Sequence, residues 1–302
     1  MIQTKYAVVI VTYNRKNLLR ECISRIENQT VPVHKIIIVN NASTDGTKEY
    51  LEELAVKGNL YQVIECPENI GGAGGFAKGI AEAVKNTVDC VLIIDDDAML
   101  AADYMEKLLE AKKRNPKYGA FAGCVKVDGK IDTYHRKMLS KAGLFLKRCD
   151  ESLYRSRYFE CEIASFCGML VDRDIIEKIG LPHAEYFILH DDTEYSLRIH
   201  KWSNFLVVSD AVLNHKTKIY EVKTRPRRYD WRDYYEIRNR ILYVKEHGNT
   251  IDKLLNWSDL FIRVIFRNWI FGFIRKSGYD WKYEKDTVRK AIRDVHKIER
   301  EV

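Results

Sequence analysis

The sequence lacks the usual marks of export, membrane spanning and covalent cross-linking. No apolar run reaches the ~20 residues that a membrane-spanning helix requires, so membrane contact is expected only at the periphery. The chain runs from Met1 through Lys5 straight into Ala7-Val8-Val9-Ile10-Val11, with no long h-region and no small-residue cleavage site. This predicts the absence of a signal peptide and a cytoplasmic location. The seven cysteines are odd in number and form no C-x-x-C pair, which argues against a disulfide framework or a zinc ribbon and predicts reduced core residues. Internal repeats and low-complexity linkers are missing as well. What remains is an ordinary globular composition of 302 residues, 46% hydrophobic and 31% charged, enough for one large domain with an appendage or two modest ones. The net charge of +7 predicts attraction to phosphates, nucleic acid or an anionic membrane, without choosing among them.

Short apolar runs alternate with helical patterns in the first part of the chain: Tyr6 to Thr12 then Lys16 to Glu27, Lys35 to Val39 then Thr47 to Val56, Leu60 to Ile64 then Gly74 to Lys85, and Cys90 to Ile94 then Asp103 to Arg114. Strands apolar on both faces and separated by helices predict an α/β fold with a mainly parallel central sheet. From Tyr118 to about Val171 shorter β-like pieces follow, then helices near Asp174 to Ile179 and Asp191 to Lys201 and strands near Phe205 to Val208 and Ala211 to Leu213. Beyond Tyr229 the pattern is helical. Ligands of such sheets collect at the carboxyl ends of the strands, where this chain places Thr12-Tyr13-Asn14, Asn40 to Asp45, Pro67-Glu68-Asn69 and Asp95-Asp96-Asp97.

In extended geometry Asp95 and Asp97 point to one side and Asp96 to the other. Two like charges on one side need a cation, and oxygen ligands suit Mg2+ or Mn2+ shared with substrate phosphates; acids capping a helix would be the simpler explanation. The run Asn69-Ile70-Gly71-Gly72-Ala73-Gly74-Gly75-Phe76 allows close backbone approach to an anion at a helix N-terminus, or tight helix packing. It is neither a Walker loop nor a Rossmann fingerprint. Asp191 and Asp192 open an amphipathic helix: one acid can cap it, leaving the other as a general base, whereas Glu194 and Arg198 are spaced to pair along it. His215, after a short apolar piece, could complete a metal site, although spacing alone does not bring it to the aspartates. Lys223, Arg225, Arg227, Arg228 and Arg232 surround Tyr234-Tyr235 and lead to Arg238-Asn239-Arg240, a mixture suited to diphosphate and sugar, to a solvated face, or to nucleic acid.

Taken in order, Thr12-Tyr13-Asn14-Arg15, Asn40 to Thr47, the glycines after Asn69, Asp95–Asp97 and His190-Asp191-Asp192-Thr193-Glu194 resemble family 2 glycosyltransferases of the GT-A fold, over roughly residues 5 to 240. The resemblance implies a GT-A catalytic domain over residues 1–228, with a nucleotide-sugar part to about 100 and an acceptor part from about 101 to 228, followed by a helical region over 229–302. It implies that Thr12, Tyr13, Asn14, Arg15, Asn41, Asp45, Asn69, Gly72, Gly75, Asp95 and Asp96 hold the nucleotide sugar. Asp95, Asp97 and His215 would bind Mn2+ or Mg2+, Asp192 with Asp191 would supply the catalytic base, and Tyr234, Tyr235, Arg238 and Asn239 would border the diphosphate and acceptor. Within the family the motifs look most like bacterial galactofuranosyltransferases, with rhamnosyltransferases as near neighbours. That implies UDP-galactofuranose or dTDP-rhamnose as donor, a glycan or polyprenyl-diphosphate-linked acceptor in surface polysaccharide synthesis, and no nucleic acid. His190 departs from this pattern, standing where those galactofuranosyl enzymes carry tryptophan.

The segment Leu260 to Arg275 is aromatic and aliphatic, with arginines spaced four and eight apart. As a helix it suits the inner face of a membrane, its cations on anionic headgroups, and equally a catalytic domain or the second copy of a homo-oligomer.

Overall fold

The computed structural model describes residues 4–140, 143–217, 231–262 and 281–301. The chain divides into two compact units, one of Met1–Met138, Leu146–Phe187 and Asp191–Ile219, the other of Leu139–Phe145, Ile188–His190 and Tyr220–Val302. Its first half runs β1 (Tyr6–Thr12), α1 (Lys16–Glu27), β2 (Lys35–Asn40), α2 (Thr47–Ala55), β3 (Tyr61–Glu65), α3 (Gly71–Ala83), β4 (Cys90–Asp95), β5 (Ala98–Leu100) and α4 (Tyr104–Arg114). There follow β6 (Ala120–Val127), β7 (Lys130–Ile131), β8 (Arg136–Ser140), β9 (Gly143–Arg148), β10 (Tyr158–Cys161), β11 (Ile163–Ala164), β12 (Met169–Asp172), α5 (Arg173–Ile179), α6 (Asp191–His200) and β13 (Phe205–His215).

The first unit is built on a mixed sheet in the order β10-β13-β6-β12-β4-β1-β2-β3. Strands β4, β1, β2 and β3 are parallel, as are β13 and β6, while β12 runs antiparallel between β4 and β6. Alternation along each strand sends its apolar side chains to two cores. Val8, Ile10, Ile36, Ile38, Leu92 and Ile94 pack on one face with Leu19, Ile23 and Ile26 of α1, Leu51 of α2 and Leu108 of α4. Ala7, Val9, Ile37, Val91 and Ile93 pack on the other with Phe76 and Ile80 of α3, Ile175 of α5 and Tyr195 and Ile199 of α6. The parallel strands therefore read as continuous Val and Ile runs, because helices cover both faces.

Two details differ from the sequence reading. The polar Ser209-Asp210 pair does not end a strand: β13 runs through it, with the register against β6 shifting between Val208 and Val212. Helix α3 begins at Gly71, so the glycines form its first turns and not a loop before it.

The second unit holds α7 (Trp231–His247), α8 (Thr250–Phe261) and α9 (Trp281–Glu301). Ile237 and Ile241, Leu260, and Val288, Ala291 and Val295 from these helices in turn form its core. Asn249 and Asp252 close a reciprocal capping box at the start of α8. The expected basic residues Lys223, Arg225, Arg227 and Arg228, and Arg263 to Arg275 of the aromatic segment, lie outside the described residues. Among the described residues no helix is long and apolar enough to cross a membrane.

Candidate active site

The carboxyl ends of β1, β2 and β4 lie side by side, with Val11 opposite Asp95 and Thr12 opposite Asn40. This register delivers the first groups of the site. The Thr12 hydroxyl donates to Asp96 Oδ2 at 2.7 Å. Arg15, at the start of α1, donates from Nη1 to Asp96 Oδ1 at 3.2 Å and to Asp97 Oδ2 at 2.8 Å. Strand β13 pairs antiparallel with β5, His215 opposite Ala98, and so returns to the aspartate turn. There His215 Nε2 lies 2.9 Å from Asp97 Oδ1. The other ring nitrogen, Nδ1, is buried without a hydrogen-bond partner.

A carboxylate, an imidazole nitrogen and the Cys167 sulfur also meet here, with one ligand atom each from Asp95, Cys167 and His215 within 4.8 Å of one another. Burial first, and then the charge of Asp97, pushes the Asp95 carboxyl up to about 7. Burial likewise raises Asp96, to about 6, against the pull of Thr12 and Arg15. Burial also acts on Asp97, but the hydrogen bond and charge of His215, with Arg15, outweigh it and hold that carboxyl below its ordinary value. His215 is raised in return: burial disfavours its cation, and Asp97 and Asp95 overcome that. An unpartnered buried nitrogen beside carboxylates that burial drives towards protonation is a donor set suited to a divalent cation.

Asp191 and Asp192 begin α6. Asp192, the second residue of α6, accepts on Oδ1 the Thr193 backbone N–H at 2.6 Å and the Thr193 hydroxyl at 3.2 Å, while Oδ2 has no hydrogen bond among the described residues. Burial and the neighbouring Asp192 raise Asp191 to about 8, and Asp95 contributes to the same shift. The two acid clusters therefore feel one another's charge. Glu194 is fully buried and receives Arg198 Nε at 2.7 Å and Nη2 at 2.8 Å, the pairing that their spacing suggests.

A second group of loops frames the rim. Asn14, at φ 54°, accepts the Thr44 N–H at 2.7 Å, and Asp45 accepts the Lys16 N–H at 2.9 Å and the Thr47 hydroxyl at 2.5 Å. What desolvation Asp45 suffers is outweighed by these donors, which hold its carboxyl below the usual range. Asn41 donates to Asn69 Oδ1 and to the Gly71 carbonyl and accepts the Ile70 N–H, fastening the turn into α3. Tyr13 is 46% exposed. Within the glycine run, a Cβ on Gly75 would stand 2.5 Å from Val11 Cγ1, whereas Gly72 faces open space. Gly75 thus lets α3 close onto β1, and Gly72 is the position with room for a ligand.

The remaining expected residues lie in the second unit. Tyr234 donates to Asp294 Oδ2 at 2.8 Å, and the Arg238 guanidinium sits over the Tyr234 and Tyr235 rings. Asn239 donates to the carbonyls of Ile188 and Leu189, at 2.9 and 2.7 Å. Those carbonyls belong to a segment in which Phe187, Leu189 and His190 all have positive φ, a conformation that costs non-glycine residues energy and gathers at functional sites.

Sequence reasoning missed Arg136. Its guanidinium is fully buried and donates to three carbonyls, Gly123 at 3.1 Å, His135 at 2.9 Å and Cys167 at 3.0 Å, tying β6, the start of β8 and the approach to β12 together beside the site. Nothing in its sequence context signals this role. The sequence predicts Cys167 only as a reduced core residue; all seven cysteines are free and buried, and this one also meets Asp95 and His215.

Comparison with known proteins bears on family and fold. The dolichol-phosphate mannosyltransferase of Pyrococcus furiosus is 27% identical over 188 residues, 61% of this chain and 51% of the relative. The poly-beta-1,6-N-acetyl-D-glucosamine synthase of Staphylococcus epidermidis is 24% identical over 228 residues, 74% of this chain and 48% of the relative. The chain thus spans about half the length of these curated relatives. Among solved structures, GalNAc-T7 with UDP, GalNAc and Mn2+ superposes with a TM-score of 0.65 at 15% identity, covering 95% of this chain and 55% of that one. A mannosyltransferase from Pyrobaculum calidifontis in complex with GDP-Man and Mn2+ gives 0.57 at 15% identity, covering 98% and 76%. The likeness to these structures is one of fold. Residues 7–180, more than half of the chain, match the family described as glycosyl transferase family 2, and the chain belongs to that family.

Proposed function

We propose that the chain moves a hexose from a nucleoside-diphosphate sugar to an acceptor hydroxyl, with inversion and with Mn2+ or Mg2+. The observation that carries this reading is one rim holding two acid clusters. Asp96 and Asp97 are fixed by Thr12, Arg15 and His215, and Asp95 and Asp191 are driven towards protonation by burial and by neighbouring charge. Asp95, Asp97 and His215 would hold the metal, which when bound supplies positive charge against the departing diphosphate.

The chain's own groups divide the rest of the work. Thr12 and Arg15 orient Asp96 and Asp97 without a moving part. Asp192 is held through Oδ1 by Thr193 and keeps Oδ2 to take the acceptor proton, as a positioned general base does. No covalent nucleophile is needed, so a single displacement inverts the anomeric centre. Asp45, Asn14 and Asn41 shape the loops proposed to receive the nucleotide, with Gly72 leaving space at the start of α3. Tyr234, Tyr235, Arg238 and Asn239 are proposed to support the diphosphate and acceptor side.

Sequence motifs favour galactofuranose from UDP-galactofuranose, with dTDP-rhamnose as the second donor; the named relatives make mannose and N-acetylglucosamine the controls. The proposed acceptor is a glycan or polyprenyl-diphosphate-linked glycan of a bacterial surface polysaccharide. Charge supports a membrane-side location: residues 220–302 hold 20 of the 50 Lys and Arg but 13 of the 43 Asp and Glu, so the whole +7 sits there and residues 1–219 are balanced. In the same unit α8 exposes Ile251, Leu254, Leu255, Trp257 and Phe261, apolar side chains of the kind an interfacial helix presents.

The test is Asp192→Asn. The expected variant binds the nucleotide sugar as the wild type does and loses turnover; substantial retained transfer removes Asp192 from the base role. A chain that binds nucleotide sugars and turns none over would instead be a binding module.

A further inference from the structure

The geometry points to Cys167 as a ligand of the metal site, a sulfur donor that makes this centre favour soft divalent ions over Mg2+. The inference rests on the metal-binding part of the proposed function. Asp95, Cys167 and His215 each present one ligand atom within 4.8 Å of the others. Cys167 is fully buried, and its sulfur has no hydrogen-bond partner among the described residues. Nδ1 of His215 is likewise buried and unpartnered, while Nε2 is engaged by Asp97. A thiol that merely filled the core would need no such company. Its apolar neighbours account for its burial, not for its meeting a carboxylate and an imidazole.

The sulfur is also held in place from behind. The Cys167 carbonyl accepts Arg136 Nη2 at 3.0 Å, and the next residue is pinned from both sides, Gly168 N–H to the Ile93 carbonyl at 3.1 Å and the Tyr104 hydroxyl to the Gly168 carbonyl at 2.8 Å. Gly168 has φ 77°, and a Cβ there would strike Tyr104 and Leu213, so the turn that presents Cys167 is specific to glycine. His135, fixed through Ser165, packs edge-on against the His215 ring with 5.2 Å between centroids. The donor set is therefore prepared before any ion arrives.

Oxygen donors alone suit Mg2+, Ca2+ and Mn2+; one sulfur and one imidazole added to a carboxylate move the preference to Zn2+, Co2+ and Cd2+. Binding displaces the thiol proton to solvent as the sulfur–metal bond forms. A soft ion seated on Asp95, Cys167 and His215 would compete with the ion that serves the diphosphate, so Zn2+ and Cd2+ are expected to inhibit where Mn2+ supports turnover.

The experiment is a Co2+ titration of the full chain without nucleotide, followed by the sulfur-to-cobalt charge-transfer band in the near ultraviolet. The wild type is expected to develop the band, Cys167→Ser to lose it, and Cys22→Ala to keep it, although Cys22 Sγ lies 3.7 Å from the Asp95 carbonyl. Cd2+ affinity should fall about tenfold or more in Cys167→Ser, with Mg2+ affinity little changed. The cadmium-113 resonance of the wild-type protein gives the same answer without a variant, moving strongly downfield when sulfur is a ligand. Co2+ binding without the band, or a band that survives Cys167→Ser, overturns the sulfur ligand and leaves the proposed transferase site standing. A protein that binds no divalent ion overturns both.

Discussion

If the rim is built for a cation, the metal-free protein should lose stability as pH rises from 5 to 8, and Mn2+ should restore it. Asp96, Asp95 and Asp191 are raised to about 6, about 7 and about 8, in each case first by burial. A carboxyl raised in the folded state keeps its proton where the unfolded chain has already lost it. Between the unfolded value near 3.8 and the folded one, the folded state binds more protons, so unfolding free energy falls with pH and levels off only above the folded value. His215, raised for a different reason, has the same sign above 6.5, whereas His135, lowered chiefly by burial, opposes it. Asp97 is lowered, and its contribution is lost only in acid, outside this window. Each tenfold change in proton affinity is worth about 1.4 kcal/mol, so the net loss is on the order of a few kcal/mol, a large share of the 5–15 kcal/mol typical of a domain. Mn2+ at about 100 times its dissociation constant would return roughly 2.7 kcal/mol. Urea unfolding at pH 5 and pH 8, with and without Mn2+, reads both terms. Metal-free protein as stable at pH 8 as at pH 5, or an equal effect of Mn2+ at the two pH values, would refute the reasoning.

Asp192→Asn should lower kcat by about 10² to 10⁴-fold with the donor KM little changed, as steady-state kinetics would report. Arg136→Met removes the Arg136 donor from the Gly123, His135 and Cys167 carbonyls, of which His135 keeps the Ser165 N–H at 3.0 Å; at about 1–3 kcal/mol for each unsatisfied buried group, denaturant unfolding should show a loss of roughly 2 kcal/mol or more. Anionic vesicles should co-sediment the protein and zwitterionic ones should not, with binding that weakens as salt is raised; equal behaviour on both would remove the electrostatic part of the membrane proposal.

Much of the fold could be read from the sequence because it is set by local periodicity. Strand β1 and helix α1 fall where the apolar runs place them, Tyr6–Thr12 and Lys16–Glu27, since a strand buried on both faces and a one-faced helix leave different patterns. The carboxyl-end rule then put Thr12 and Asp95 on one rim. What the sequence withheld depends on contacts between distant residues. His215 reaches Asp97 across 118 residues only because β13 pairs with β5, and the bulge that lets β13 continue past Ser209-Asp210 looks like a strand end in the sequence. Gly75 and Gly72 sit in one run, yet one closes a helix onto Val11 and the other faces open space, a difference that composition does not carry. Arg136 and Cys167 are ordinary residues in sequence that become special only through the three carbonyls and two donors that tertiary structure sets beside them.

The central claim, nucleotide-sugar transfer at the aspartate rim, is tested most directly by incubating the full chain with UDP-galactofuranose, dTDP-rhamnose, GDP-mannose and UDP-N-acetylglucosamine and measuring release of nucleoside diphosphate with and without Mn2+. The expected result is Mn2+-dependent release from one donor, highest for UDP-galactofuranose, and its loss in Asp97→Ala. Release from none of them, or release indifferent to both Mn2+ and Asp97, would contradict it.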